Sequence, residues 1–187
     1  MKKIYMFGLL FFMGLITASA QKKLPVKIHQ STVHWEGYYV FHFGGHQGTI
    51  KLLDGYFLKS DDKLTGGDFV IDMKSLKSTD LESVDGRTNL DNHLKAADFF
   101  DVEKHPLAVL SILRIDYEKK TKVKVYANLT IKGIMKPIYF SADLNYEKKT
   151  FRAKFKIDRR KWKVNYTSAF RDGAISDAIG FDVLLQI

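Results

Sequence analysis

The sequence predicts an all-β domain, eight antiparallel strands closed into an up-and-down barrel, with one short helical excursion. Val123, Val125, Ala127, Leu129 and Ile131 alternate with Lys122, Lys124, Tyr126, Asn128 and Thr130, the period-two signature of a strand with one buried face. The tight polar segment Tyr-Glu-Lys-Lys-Thr occurs at 117–121 and again at 146–150, where it reads as a repeated hairpin turn. Between Ser75 and His105 the alternation stops. Sequential antiparallel strands, each with one apolar face, remove their exposed edges by closing on themselves.

The predicted strands are 26–36, 46–59, 63–74, 106–117, 122–132, 138–146, 151–158 and 178–187. Phe151, Ala153, Phe155 and Ile157 alternate with charged residues, and one strand earlier Ile138, Phe140, Ala142 and Leu144 alternate with Tyr139, Ser141, Asp143 and Asn145. In the excursion Thr88 offers an N-cap ahead of Leu90, Leu94 and Ala97 at helical spacing, which predicts one short helix inside a long connection. Connections then alternate between two ends. Ser60-Asp61-Asp62 and the two Tyr-Glu-Lys-Lys-Thr segments close one end tightly. Gly44-Gly45-His46, the helical excursion, Lys132 to Pro137 and Arg159 to Asp177 elaborate the other.

Met1 to Ala20 reads as an export signal. Lys2 and Lys3 precede an uncharged apolar stretch, and Ala18-Ser19-Ala20 supplies a small-residue cleavage site before Gln21. The expected product is a soluble periplasmic or secreted domain, residues 21–187. The chain has no cysteine, which excludes disulfides and a lipidated anchor residue. Loss of Lys2 and Lys3 lowers the net charge from +9 to +7, a balance that keeps a protein soluble and allows transient contact with an anionic membrane surface. Nothing resembles a nucleic-acid recognition motif.

No catalytic constellation stands out: there is no Gly-x-Ser-x-Gly elbow, no phosphate-cradling loop and no His-Glu-x-x-His. His34, His42 and His46 share parity and could form a metal site only if the Gly44-Gly45 pair left them on one face. His93 and His105 read as structural hydrogen-bonding groups. Asp72 with Asp80, or Asp98 with Asp101, are candidate carboxylate pairs for acid-base work, but Asp98-Phe99-Phe100-Asp101 reads better as a turn plugging the barrel mouth. Trp162 lies in the basic run Arg159-Arg160-Lys161-Trp162-Lys163, as a cap on the barrel or as a membrane-facing rim. No catalytic residue, metal or cofactor is expected.

An eight-stranded barrel is just wide enough to be filled by side chains or to hold one small or elongated ligand. Alternation points Phe69, Phe140, Phe151, Phe155 and Phe181 inward, with Leu113, Val125 and Leu129 beside them. Leu94, Phe99, Phe100 and Trp162 join them from the elaborated end. Core and pocket lining look identical at this level.

His93-Leu94-Lys95 running into Asp98-Phe99-Phe100-Asp101-Val102-Glu103-Lys104-His105-Pro106, then Leu129-Thr130-Ile131-Lys132-Gly133, Lys136-Pro137-Ile138, Ile157-Asp158-Arg159 and Ile175-Ser176-Asp177, together resemble the YceI-like family. The resemblance implies a lipocalin-like barrel whose elongated apolar cavity holds a polyisoprenoid or similar long-chain lipid, as carrier or reservoir and without enzymatic activity. Gly44 to Gly48 and Lys161-Trp162-Lys163 depart from the family pattern at the elaborated end. An acid-base or metal-dependent enzyme using that end's His and Asp groups, and a ligand-free protective barrel, are the other readings.

Overall fold

Eight strands close on themselves in a computed structural model that describes residues 21–40, 44–165 and 175–187. A short β1 (Lys22–Pro25) precedes β2 (Thr32–Tyr39), β3 (Gly45–Ser60), β4 (Lys63–Ser78), α1 (Val84–Lys95), β5 (Leu107–Tyr117), β6 (Lys122–Ile131), β7 (Ile134–Asn145), β8 (Thr150–Asp158) and β9 (Ile175–Gln186). Each of β2 to β9 pairs antiparallel with its sequence neighbours, and β9 returns to β2. The lipocalin-like, all-β up-and-down barrel is the observed fold. Among the described residues no helix is long and apolar enough to cross a membrane.

The first predicted strand, 26–36, starts too early: only its second half, from Thr32, is strand, and a separate short β1 precedes it. β1 pairs with the second half of β3 and β2 with its first half, and the 3-10 turn Ile28–Gln30 carries the chain between them. Ser31 fixes that step, since its Oγ donates to Lys27 O at 2.9 Å and accepts from Gln186 N at 3.0 Å.

Between β6 and β7 the connection is a two-residue turn, shorter than the predicted 132–137 loop. Lys132 and Gly133 both take positive φ, 50° and 70°, the geometry that matches hairpin twist. Pro137 therefore lies within β7, where it is tolerated because β7 pairs with β8 only through residues 142–145. The helix also starts earlier than predicted. Its N-cap is Ser83, whose Oγ accepts from Gly86 N at 3.2 Å, while Thr88 sits inside the helix and bonds back to Val84 O. Asp85 in the first turn suits the positive end of the helix. Ala97 falls beyond the last turn and is exposed.

The interior divides into two layers. Near the tight turns Phe57, Phe69, Val123, Val125, Phe140 and Phe151 pack solidly; Phe57 touches Phe69 and Phe151 with ring centroids 5.0 Å apart in each case. Toward the elaborated end Trp35, Met73, Leu76, Leu94, Phe99, Phe100 and Trp162 form a second layer.

Leu113 is a correction. It was expected inside, yet it is 63 % exposed. The register of β5 on β6 slips between Ile112 and Arg114, so a bulge turns two successive residues outward and resets the parity. Ile115 then resumes the inward row. Replacing Leu113 by Glu is expected to change stability by no more than about 0.5 kcal/mol, which a urea melt checks, whereas Leu129→Ala should lose about 2–5 kcal/mol.

Candidate functional site

The solid layer stops short of the elaborated end, and above it lies an apolar cavity of about 310 Å³. β2 contributes Val33 and Trp35, β3 Ile50 and Leu52, and β4 Phe69, Ile71, Met73 and Leu76. The far wall is Leu129 and Ile131 of β6, Phe155 of β8 and the alternating row Ile179, Phe181, Val183 and Leu185 of β9. Phe155 and Phe181, opposite each other in the β8–β9 ladder, meet with centroids 5.4 Å apart.

The excursion roofs this space. Leu90 and Leu94 come from the inner face of α1, and Phe99 and Phe100 follow as an edge-to-face pair 4.9 Å apart. The turn that delivers them is pinned by Phe100 N donating to Leu94 O and Asp101 N donating to Ala96 O. The expected plug is thus present. Asp101 serves the turn, carrying positive φ and pairing with Lys104 at 3.3 Å, while Asp98 faces His93 at 3.9 Å.

Phe69, Leu94, Phe99, Phe100, Leu129, Phe155 and Phe181 line the cavity. Val125, Phe140 and Phe151 point inward but belong to the filled layer beneath it, with Phe140 stacked on Phe155 at 4.4 Å. Trp162 is neither lining nor rim. It is 1 % exposed, fills the gap where β7 and β8 part, and donates its indole N–H to Leu129 O at 3.0 Å. Of the two readings of this basic run, the cap is the one its burial fits.

Polar groups gather where the wall meets the elaborated end. The Tyr39 hydroxyl lies 2.8 Å from His46 Nε2, and His46 Nδ1 lies 2.8 Å from Asp80 Oδ2. Asp80 Oδ1 also accepts from Gln47 N at 3.3 Å. Burial alone would raise the Asp80 carboxyl, but the hydrogen bonds from His46 and the Gln47 N–H outweigh it and hold the group below its ordinary value. Next to this set, burial first, then the hydrogen bond to Glu36 at 2.6 Å and its charge, push the Tyr38 phenol up to about 12.

Arg159 is the other polar group in the wall. Its guanidinium is almost wholly buried and held by Nε donating to Ser176 O at 3.2 Å, a second N–H to Val164 O and an ion pair with Asp177 at 3.3 Å. Arg160 binds Asp158 and Asp177 at the surface. The Trp35 indole N–H, in the cavity wall, has no acceptor among the described residues.

Among the described residues the histidines do not converge. His34 faces solvent from β2, and His46 faces inward. His42 lies outside the described residues, as does the expected export signal, 1–20. Among the described residues no group of three or more His, Asp or Glu could hold one ion. His105 packs its ring against the Gly133 turn. Asp72 caps its own strand's bend toward Lys74 and Ser75 and is not joined to Asp80.

Tyr39, His46, Arg159 and Trp35 were not anticipated as individual cavity residues. Parity could have found three of them, because Tyr39 and Trp35 share a face with Val33, and His46 shares one with Ile50 and Leu52. Asp80 lies past the end of β4, where no periodicity speaks.

Comparison with known proteins agrees with this architecture. A UPF0312 protein of Pseudomonas putida strain W619 is 30% identical over 137 residues, 70% of this chain and 65% of the relative, so the chain spans just under two thirds of that protein's length. Among solved structures, Burkholderia cenocepacia BcnA superposes with a TM-score of 0.67 at 19% identity, covering 86% of this chain and 98% of BcnA. A polyisoprenoid binding domain from Saccharophagus degradans, implicated in plant cell wall breakdown, gives 0.58 at 11% identity, covering 86% and 95%. The model of the YceI-like domain matches residues 25–187, nearly all of the barrel just described, and the chain belongs to the YceI-like family.

Proposed function

We propose that this chain is an exported carrier or reservoir for a polyisoprenoid or similar single-tailed lipid, held in the upper half of the barrel without chemical change. The observation that carries the reading is the apolar cavity of about 310 Å³ above a solid floor, at the low end of the range typical of ligand pockets. That volume suits one slender tail. Burying such a tail from water gains about 0.8 kcal/mol per methylene, while transfer from a bilayer is close to neutral. Exchange with membranes is then reversible and needs no energy source.

Entry is at the elaborated end, because the tight turns stand over the filled layer. That end also presents exposed Val40, Val84, Leu107 and Met135 together with exposed Arg160, Lys161 and Lys163. Each basic group near an anionic leaflet is worth about 1 kcal/mol. The rim contact rests on these residues, since Trp162 is buried.

Mass spectrometry of an organic extract of the purified protein tests the reading; a recovered isoprenoid lipid supports it, and bare protein from a lipid-replete host opposes it. The two stacked aromatics sharpen the test. Phe155→Trp should displace cavity volume and lower lipid uptake with a modest stability change, whereas Phe140→Trp overpacks the floor and should cost about 1–3 kcal/mol. Equal uptake by wild type and Phe155→Trp, alongside a stability loss in the latter, would favour a filled barrel.

A further inference from the structure

The Tyr39–His46–Asp80 set has a direction. Asp80 is held ionised, so it only accepts, and His46 Nδ1 must be the donor to it. In the neutral imidazole Nε2 is then an acceptor, and the Tyr39 hydroxyl donates to it. What Tyr39 leaves for the cavity is an oxygen lone pair. When His46 is protonated, Nε2 becomes a donor toward the Tyr39 oxygen, and the Tyr39 O–H turns to the cavity. One proton reverses the polarity of the last member.

We propose that Asp80, His46 and Tyr39 form a relay that selects the polar end of the bound amphiphile by hydrogen-bond direction, taking a hydroxyl donor when His46 is neutral and an acceptor oxygen when it is protonated. This rests on the lipid reading of the cavity. Tyr39 and His46 stand on the inward rows of β2 and β3 and both line the space, so the relay meets the ligand at its head while the tail lies below. Among the described residues, the other charged or titratable groups that line the cavity with His46 are already engaged. On β2 Tyr38 binds Glu36, from the helix His93 faces Asp98 at 3.9 Å, and beyond β8 Arg159 is tied to Asp177.

The test uses the mature chain with farnesol and its methyl ether, two probes of nearly equal size of which only the alcohol can donate, read by quenching of tryptophan emission. At about pH 8, with the neutral state of His46 read from its imidazole nitrogen shifts, farnesol should bind about fivefold tighter than the ether. Once the same shifts report a protonated His46 at lower pH, the ratio should fall to about one, because Tyr39 then donates to either oxygen. Asp80→Asn keeps the bond from Gln47 and can donate to His46 Nδ1, so it should bring the ratio to about one at pH about 8 by tightening the ether about fivefold. Tyr39→Phe should also equalise the probes, but by weakening farnesol alone. In the unaltered protein, imidazole nitrogen shifts at about pH 8 should place the His46 proton on Nδ1.

A farnesol-to-ether ratio that ignores both pH and Asp80→Asn, with both probes bound, overturns the relay and leaves the lipid reading standing. A His46 proton on Nε2 at about pH 8 does the same. Failure of the unaltered protein to bind either probe removes both.

Discussion

Trp162→Ala should cost about 3–5 kcal/mol, the largest single loss expected in this chain. The indole closes the gap left where β7 and β8 separate after their short shared ladder, and it is 1 % exposed. Truncation removes its packing and its hydrogen bond to Leu129 O at 3.0 Å together. Against the 5–15 kcal/mol that holds a typical domain, such a loss leaves a marginal barrel. Trp162→Phe keeps most of the volume and forfeits the hydrogen bond, so about 1–3 kcal/mol is expected. Urea melts of the two variants check the pair; an alanine variant within about 1 kcal/mol of wild type would show that the indole is not the seal described.

Gly48→Val should be nearly as damaging, for the opposite reason. A Cβ at Gly48 would stand 1.9 Å from Lys77 O and 2.6 Å from the Trp35 ring. The first contact is backbone of the neighbouring strand and can yield only by parting β3 from β4; the second drives the indole into the cavity. A loss of about 3 kcal/mol or more is expected, and any variant that folds should hold less lipid. Melts paired with lipid extraction read both effects. A Gly48→Val protein with native stability and undiminished lipid would contradict the close crossing of Trp35 over Gly48.

The alternation of Val123 to Ile131 and of Phe151 to Ile157 carried the barrel, because a strand with one wet face writes its parity into every second residue. The same rule failed at Leu113, where a bulge resets the count without any glycine or proline to mark it. It was silent on depth: Phe140 and Phe155 have the same inward parity and stack on each other, yet one is floor and the other is wall. Trp162 could be read as cap or rim because its neighbours are charged, while its own position is set by a gap between strands that only the three-dimensional course of β7 reveals. Asp80 could not be joined to His46 by pattern, since 34 residues and a complete hairpin crossing separate them.

The closure of the barrel by β9 against β2 fixes when folding can finish. The bond from Gln186 N to Ser31 Oγ spans 155 residues, and the whole β2–β9 ladder joins strands at opposite ends of the barrel's sequence order. Until β9, its final 12-residue strand, is available, the rest is an open sheet with two bare edges. Refolding should therefore belong to the slow class dominated by non-local pairing, milliseconds to seconds, and truncations within β9 should leave an edge-exposed, aggregation-prone chain and no smaller barrel.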